Sequence, residues 1–197
     1  PGNTLETISV MKNVLATAKV EENFEKEFAI YDLNSFLSVL SLYEAPDVNL
    51  YDDYLTVSQG KSNSKFWYAD KSLVVSPTKQ IVMPSAEVKV RISQSNYTDL
   101  LKASNIMQLS DIGLVSDGDT INLIATDKKN QTSNRFDVEV AEGNGSKFAF
   151  YFKRDNLRVI PGEYDLTVSS KNISHWVNAN KNLQYWIALE VDSTFEG

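Results

Sequence analysis

The sequence predicts an α+β fold, internally duplicated, in which each half sets helices against strands. Three observations carry this. Lys26–Leu40, KEFAIYDLNSFLSVL, reads as a short strand running into a helix, and Lys147–Ile160, KFAFYFKRDNLRVI, repeats that pattern about 120 residues later. The segments that follow also match: DYLTVSQG (Asp53–Gly60) with EYDLTVSS (Glu163–Ser170), and FWYAD (Phe66–Asp70) with YWIALEVD (Tyr185–Asp192). The rest is mostly period-two alternation punctuated by turn residues, which is the pattern of half-buried strands.

In chain order, Leu5–Val10 and Val14–Val20 alternate as strands joined at Lys12-Asn13, and Glu21–Glu27 is an acidic bend. Phe28–Tyr31 is a strand. From Asp32 the apolar positions Leu33, Phe36, Leu37 and Leu40 follow helical spacing, and the Asp32 carboxylate can accept first-turn N–H groups. Val48–Tyr51, Tyr54–Ser58 and Lys65–Ala69 are strands, with turns at Asp52-Asp53 and Gly60–Asn63. Residues 71–85 hold Pro77 and Pro84 and sustain neither period, so they form a connector between a domain at 1–70 and a second at 86–197. The connector is nonetheless apolar, which suits an extended strip lying along a surface. Glu87–Ile92 is a strand, Ser93 or Ser95 caps a helix to about Met107, and Asp117-Gly118 marks a hairpin between Leu109–Val115 and Thr120–Thr126. Arg135–Val140 and Phe148–Phe152 are strands, Arg154–Ile160 is a short helical run stopped by Pro161-Gly162, and Tyr164–Ser169 and Leu183–Val191 end the sheet across a long polar loop. The first half lacks the leading strand and helix of the second, so the repeat implies a strand-helix unit before Pro1.

A chain of 197 residues with 42% hydrophobic and 11% aromatic content is long enough to bury a real core. It has no cysteine and one histidine, His175, so neither a Cys–His dyad nor a multi-histidine metal site can form in one chain. A serine nucleophile lacks the G-x-S-x-G elbow, and no phosphate-binding glycine loop occurs. Asp111, Asp117 and Asp119 lack EF-hand spacing and read as a hairpin turn. No cofactor is implied. Asn96-Tyr97-Thr98 and Asn172-Ile173-Ser174 fit a glycosylation pattern by chance. Trp67, Tyr68, Tyr185 and Trp186 offer either core packing or a stacking platform, and alternation sends at least one of each pair inward. The net charge of −7 argues against a general nucleic-acid binder, yet Lys147, Lys153, Arg154 and Arg158 against Asp155 give Lys147–Ile160 a local +3.

AIYDLN (Ala29–Asn34) followed by FLSVLSL, FWYAD before a proline-containing connector, PGEYDL (Pro161–Leu166) and ALEVDST (Ala188–Thr194) together resemble the DNA polymerase sliding clamp of T-even-type bacteriophages. The resemblance spans nearly the whole chain in order and begins after that family's first helix and early strand.

The resemblance implies a two-domain DNA clamp fold, a head-to-tail homotrimeric ring with sheets outside and helices lining a hole. It implies no catalytic activity. An ATP-dependent clamp loader would place the ring on double-stranded DNA, where it would tether the DNA polymerase and also serve late transcription, in the cytoplasm of the infected bacterial host. By position Lys102, Lys153, Arg154 and Arg158 would face DNA. A ring retains DNA by topology, so a mild positive potential suffices and strong phosphate pairing would hinder sliding. The partner-peptide pocket would be lined by Val74, Val75, Pro77, Ile81, Val82 and Pro84 of the connector, with Trp186, Ala188 and Val191 as walls. The same side chains could instead only glue domains together. The alternative function is a non-catalytic β-rich carbohydrate- or surface-binding module of phage origin, using the exposed aromatics.

Overall fold

A computed structural model of the chain describes residues 1–130 and 132–196; Gln131, within the polar connection expected at 127–134, and Gly197 lie outside the described residues. The elements in order are β1 (Gly2–Ile8), β2 (Val14–Phe24), α1 (Leu33–Leu40), β3 (Asp47–Leu50), β4 (Tyr54–Gln59), β5 (Ser62–Trp67), β6 (Val88–Ile92), α2 (Gln94–Ile106), β7 (Asp111–Ser116), β8 (Thr120–Thr126), β9 (Phe136–Glu142), β10 (Lys147–Lys153), β11 (Tyr164–Ser169), β12 (Ile173–Asn178), β13 (Leu183–Ala188) and β14 (Thr194–Glu196), with 3-10 turns at Lys71–Leu73 and Arg154–Leu157. The chain divides into two compact units, one of Pro1–Thr4 with Val20–Ser76 and one of Leu5–Lys19 with Pro77–Gly197. Residues 5–19, placed by the sequence in the first domain, thus belong with the second unit. Backbone pairing decides this: Val14–Ala18 of β2 forms an antiparallel ladder with Leu183–Ile187 of β13, a long-range partnership that no local pattern announces.

The second unit is built on two sheets. One runs β1-β2-β13-β12-β11-β6, with only Leu5–Ile8 of β1 and Val14–Lys19 of β2 in this unit, and the other runs β14-β10-β7-β8-β9. Strand alternation turns one face of each inward, and Ile92, Ile112, Leu114, Phe150, Phe152, Tyr164, Val168, Trp176 and Ile187 form a single buried cluster. Burying side chains of this size contributes about 1.5–3 kcal/mol each, before the cost of ordering them. Tyr97 and Leu100 of α2 join the cluster, Ser93 caps the helix by accepting from the Asn96 N–H at 3.1 Å, and Tyr97 donates its hydroxyl to the Leu157 carbonyl. At the β7–β8 hairpin Gly118 takes φ +109°, a backbone region that disfavours any side chain. Asp117 Oδ1 there accepts from the N–H groups of Asp119 and Thr120 at 3.0 and 3.2 Å.

The first unit is thinner. The meander β3-β4-β5 buries Leu55 and Val57 completely, and Phe36 of α1 meets Phe66 edge-on at 5.2 Å. Asp32 caps α1 as its sequence predicts, accepting from Ser35 N–H at 3.0 Å. The expected helix face is only partly covered: Phe36 and Leu40 are half-buried, with Val39 beside them, while Leu33 and Leu37 are 55% and 51% exposed.

Three expectations fail in instructive ways. Phe28–Tyr31 is not a strand: it carries a backbone hydrogen bond from Ala69 N–H to Ala29 C=O at 2.9 Å but no ladder, and strand propensity without a paired neighbour does not make a strand. The helical run expected through Ile160 stops at Leu157, because β-branched Val159 and Ile160 ahead of Pro161 resist helical geometry. The long polar loop contains β12, whose Ile173, His175 and Val177 alternate with buried Ser174, Trp176 and Asn178. Its inward row is mostly polar, which hid the strand.

The duplication is seen in element order, since α1 is followed by β3-β4-β5 and the Arg154–Leu157 turn by β11-β12-β13. FWYAD and YWIALEVD begin on equivalent strands, β5 and β13, the third in each set. DYLTV and EYDLTV do not, because one lies on the middle strand of its meander and the other on the first.

Candidate functional site

Two surfaces of the second unit collect the residues that the sequence singles out. The first lies where α2 meets the Arg154–Leu157 turn. Buried Tyr97, Leu100, Ser104 and Leu157 hold these elements together, and Arg154 Nη1 reaches the Ser104 carbonyl at 3.5 Å. The result is a cavity of about 210 Å³ lined by Leu101, Asn105, Arg154, Asp155, Leu157 and Arg158. Arg158 is exposed and bonds Asp155 at 2.9 Å, a solvated pair worth little. Lys102 is exposed on α2, one turn from Asp99.

Lys153 differs from these. It closes β10 directly opposite Asp111 in the β7 register, and its ammonium lies 2.6 Å from Asp111 Oδ1 and 3.2 Å from Glu190 Oε2. Asp111 is 1% exposed. Burial pushes its carboxyl upward, but hydrogen bonds from Lys153, Ser110 and the Lys128 N–H outweigh that and hold it below its ordinary value. The Asp111 hydrogen bond in turn raises Lys153. Lys153 is therefore tied to two carboxylates in a half-buried network and Arg154 is likewise half-buried, whereas Arg158 and Lys102 are exposed.

The second surface is a groove of about 80 Å³. Ile8 and Leu15 from the first hairpin, Ile81 from the connector, Ile173 from β12, and Trp186 and Ala188 from β13 give it apolar walls, and Lys12, Asn13 and Asn172 give it a polar rim. The β2–β13 register sets Leu15 opposite Trp186, and Asn13 C=O accepts from Ala188 N–H at 2.9 Å. Behind the groove His175 stacks on Trp186, ring centroids 4.5 Å apart, and its Nε2 meets Gln184 Oε1 at 2.9 Å; the only histidine is thus a strand residue bracing a tryptophan. The connector's far end is pinned by Glu87, which accepts from the Ser170 N–H and hydroxyl at 3.0 and 2.8 Å and from Ser85 Oγ at 2.9 Å. Partial burial raises the Glu87 pKa, but these hydrogen bonds win and bring it down to about 2.

Of the residues expected to form a pocket, Ile81, Trp186 and Ala188 come together in this groove. Pro77 is half-buried and Pro84 exposed, while Val82 and Val191 are 81% and 90% exposed, and none of these lines it. Val74 and Val75 are exposed and fall in the first unit. Ile8, Leu15, Lys12, Asn13, Asn172 and Ile173 were not anticipated. Their signal in sequence is the turn at Lys12-Asn13, but only the pairing with β13 brings that turn to the groove. The aromatic pairs split as alternation requires: Tyr185 is 7% exposed and its neighbour Trp186 half-buried, whereas Trp67 is 65% exposed. Among the described residues no group of three His, Cys, Asp or Glu side chains is placed to hold a metal ion, and no helix is long and apolar enough to cross a membrane.

Comparison with known proteins fits this architecture. The chain is 28% identical over 196 residues to the sliding clamp of Vibrio phage KVP40, covering 96% of this chain and 88% of that protein. It is 27% identical over 203 residues to the sliding clamp of Escherichia phage RB69, covering 99% and 89%. Among solved structures it is similar to the A. fulgidus PCNA bound to the C-terminal region of FEN-1, with a TM-score of 0.69 at 14% identity over 96% of this chain and 85% of that one. It is also similar to the DNA polymerase III β subunit of Pseudomonas aeruginosa, with a TM-score of 0.71 at 15% identity over 96% of this chain and 56% of that one. These likenesses show the clamp fold and do not favour a carbohydrate- or surface-binding module. The family model described as gp45 sliding clamp, C terminal, matches residues 89–191, more than half of the sequence, and the chain belongs to the gp45 sliding clamp family.

Proposed function

We propose that copies of this chain close head-to-tail into a trimeric ring around duplex DNA and tether the replicative polymerase there, without catalysing any reaction. The observation that carries this reading is the pattern of free strand edges. In the second unit the strand that ends one set, β2, pairs antiparallel with the strand that ends a meander, β13. The equivalent strands in element order are β9 and β5, and each is the outermost strand of its sheet. An unpaired edge is a template for another strand. Pairing β5 of one copy with β9 of the next repeats between molecules the ladder already made within one. Such a contact uses different surfaces on the two partners and closes a ring where the rotation allows.

Lys102, Arg154 and Arg158 supply the modest positive face toward DNA, and the apolar groove around Ile81 and Trp186 takes an anchored peptide from the polymerase. An ATP-dependent loader opens the ring in the infected host's cytoplasm, and the loaded ring also serves late transcription. The test is topological. Loaded onto nicked circular plasmid, the protein stays with the DNA through gel filtration, and a single restriction cut releases it. Equal loss from circular and linear DNA would overturn the ring reading.

A further inference from the structure

Resting on that head-to-tail reading, we propose that the junction between copies is latched by charge: Lys65, held on an aromatic pad at the β5 edge, meets the acidic outward row of β9, chiefly Glu139, on the next copy. The two surfaces follow from alternation within each unit. On β5, Phe66 faces α1 through Phe36, which leaves Lys65 and Trp67 on the outer face, both exposed. They share that face with Thr56 and Tyr54, their register partners on β4. The Lys65 ammonium sits 3.6 Å from the Tyr54 ring centroid and 4.1 Å from that of Trp67. Tyr54 meets the Trp67 ring at 5.3 Å and stacks on Tyr51 at 4.6 Å. A cation so placed is fixed in position and gives up part of its hydration before any partner arrives.

On β9, Phe136, Val138 and Val140 pack against the core, so Asp137 and Glu139 point outward and are exposed. Asp137 is engaged by Arg135 at 2.5 Å. Glu139 has no ion-pair partner among the described residues. One edge thus offers an immobilised cation and the other an unengaged carboxylate. The ladder within the chain sets Gln184, two residues before Trp186, opposite Thr17, whose neighbours Ala16 and Ala18 pack on the core; Lys65, two residues before Trp67, takes the corresponding place on β5, which sets it against the outward row of β9. The acidic row cannot bind DNA, and the aromatic pad is already occupied by a lysine. A second copy satisfies both.

The experiment is sedimentation equilibrium of the wild-type chain, Lys65→Glu, Glu139→Lys and the double variant at low and high salt, with intrinsic tryptophan fluorescence to confirm that each folds. Each single variant is expected to weaken self-association roughly tenfold or more at low salt, since each replaces an attraction by a repulsion, and the double variant is expected to recover it. Glu139→Lys leaves the Lys65 pad untouched, so a defect there cannot be blamed on a collapsed aromatic cluster. Wild-type self-association with indifferent single variants overturns the latch and leaves the ring standing, as does a double variant that fails to recover. A wild-type chain that never associates overturns the ring reading, and the latch with it.

Discussion

Ile81 is the connector residue that the groove takes up, and it shows what one side chain can decide. It closes an apolar lining with Leu15, Trp186 and Ala188, so a carboxylate there would be desolvated by any peptide seated on it. Ile81→Asp is expected to weaken binding of the cognate polymerase's C-terminal peptide roughly 100-fold by fluorescence titration, the size of effect that central apolar anchors show. Self-association should be unchanged, because Ile81 lies on neither β5 nor β9. Undiminished peptide affinity would remove the groove as the docking site. The apolar character of 71–85 was legible in the sequence, and Ile81 was among its expected pocket residues. That Val82 points away from the groove was not, since an irregular segment has no period from which to read a face.

At the scale of an element, the connector depends on the Glu87 pin. Its folded pKa of about 2 lies below the ordinary glutamate value of 4.5, so the contact contributes stability in full above pH 4.5 and loses it as pH falls toward 2. Amide exchange in residues 77–87 should therefore accelerate between those limits relative to the sheet core. Glu87→Gln should exchange faster already at pH 7 and lack that acid-dependent component. An acid profile identical to wild type would show that the pin does not hold the strap. The elements themselves were largely readable from period, caps and turns: Asp32 and Ser93 cap the two helices named from sequence, and Gly118 makes its hairpin. What escaped was β12, where buried Ser174 and Asn178 replace apolar residues, and the loss of strand at Phe28–Tyr31, where pairing rather than propensity decides.

For the whole molecule, the question is what keeps a chain of net charge −7 on a polyanion. Phosphate contacts release counterions and weaken steeply with salt, and two of the four cations expected to face DNA are already engaged: Lys153 is bound to Asp111 and Glu190, and Arg158 is shared with Asp155. In the proposed ring, retention is then a property of closure. Arg154→Ala with Arg158→Ala should leave the residence time on closed circular plasmid within about twofold of wild type, because few phosphate contacts are lost, whereas Lys65→Glu should shorten it by roughly the loss in ring affinity. A collapse of residence in the arginine variant would mean that direct phosphate pairing, and not closure, holds the DNA.

By itself the sequence determined the fold class, the duplication, the helix caps, most strands and the family, because these rest on local periodicity, capping chemistry and long runs of specific residues. Only the tertiary structure decided that residues 5–19 belong with the second unit, that the groove is built from the first hairpin and the last long strand, and that Lys153 is the ion-pair partner of buried Asp111. Each of these depends on a contact between residues far apart in the chain, such as Leu15 with Trp186 or Lys153 with Asp111. Strand pairing fixes such contacts by register, and no local pattern carries the register of a distant partner.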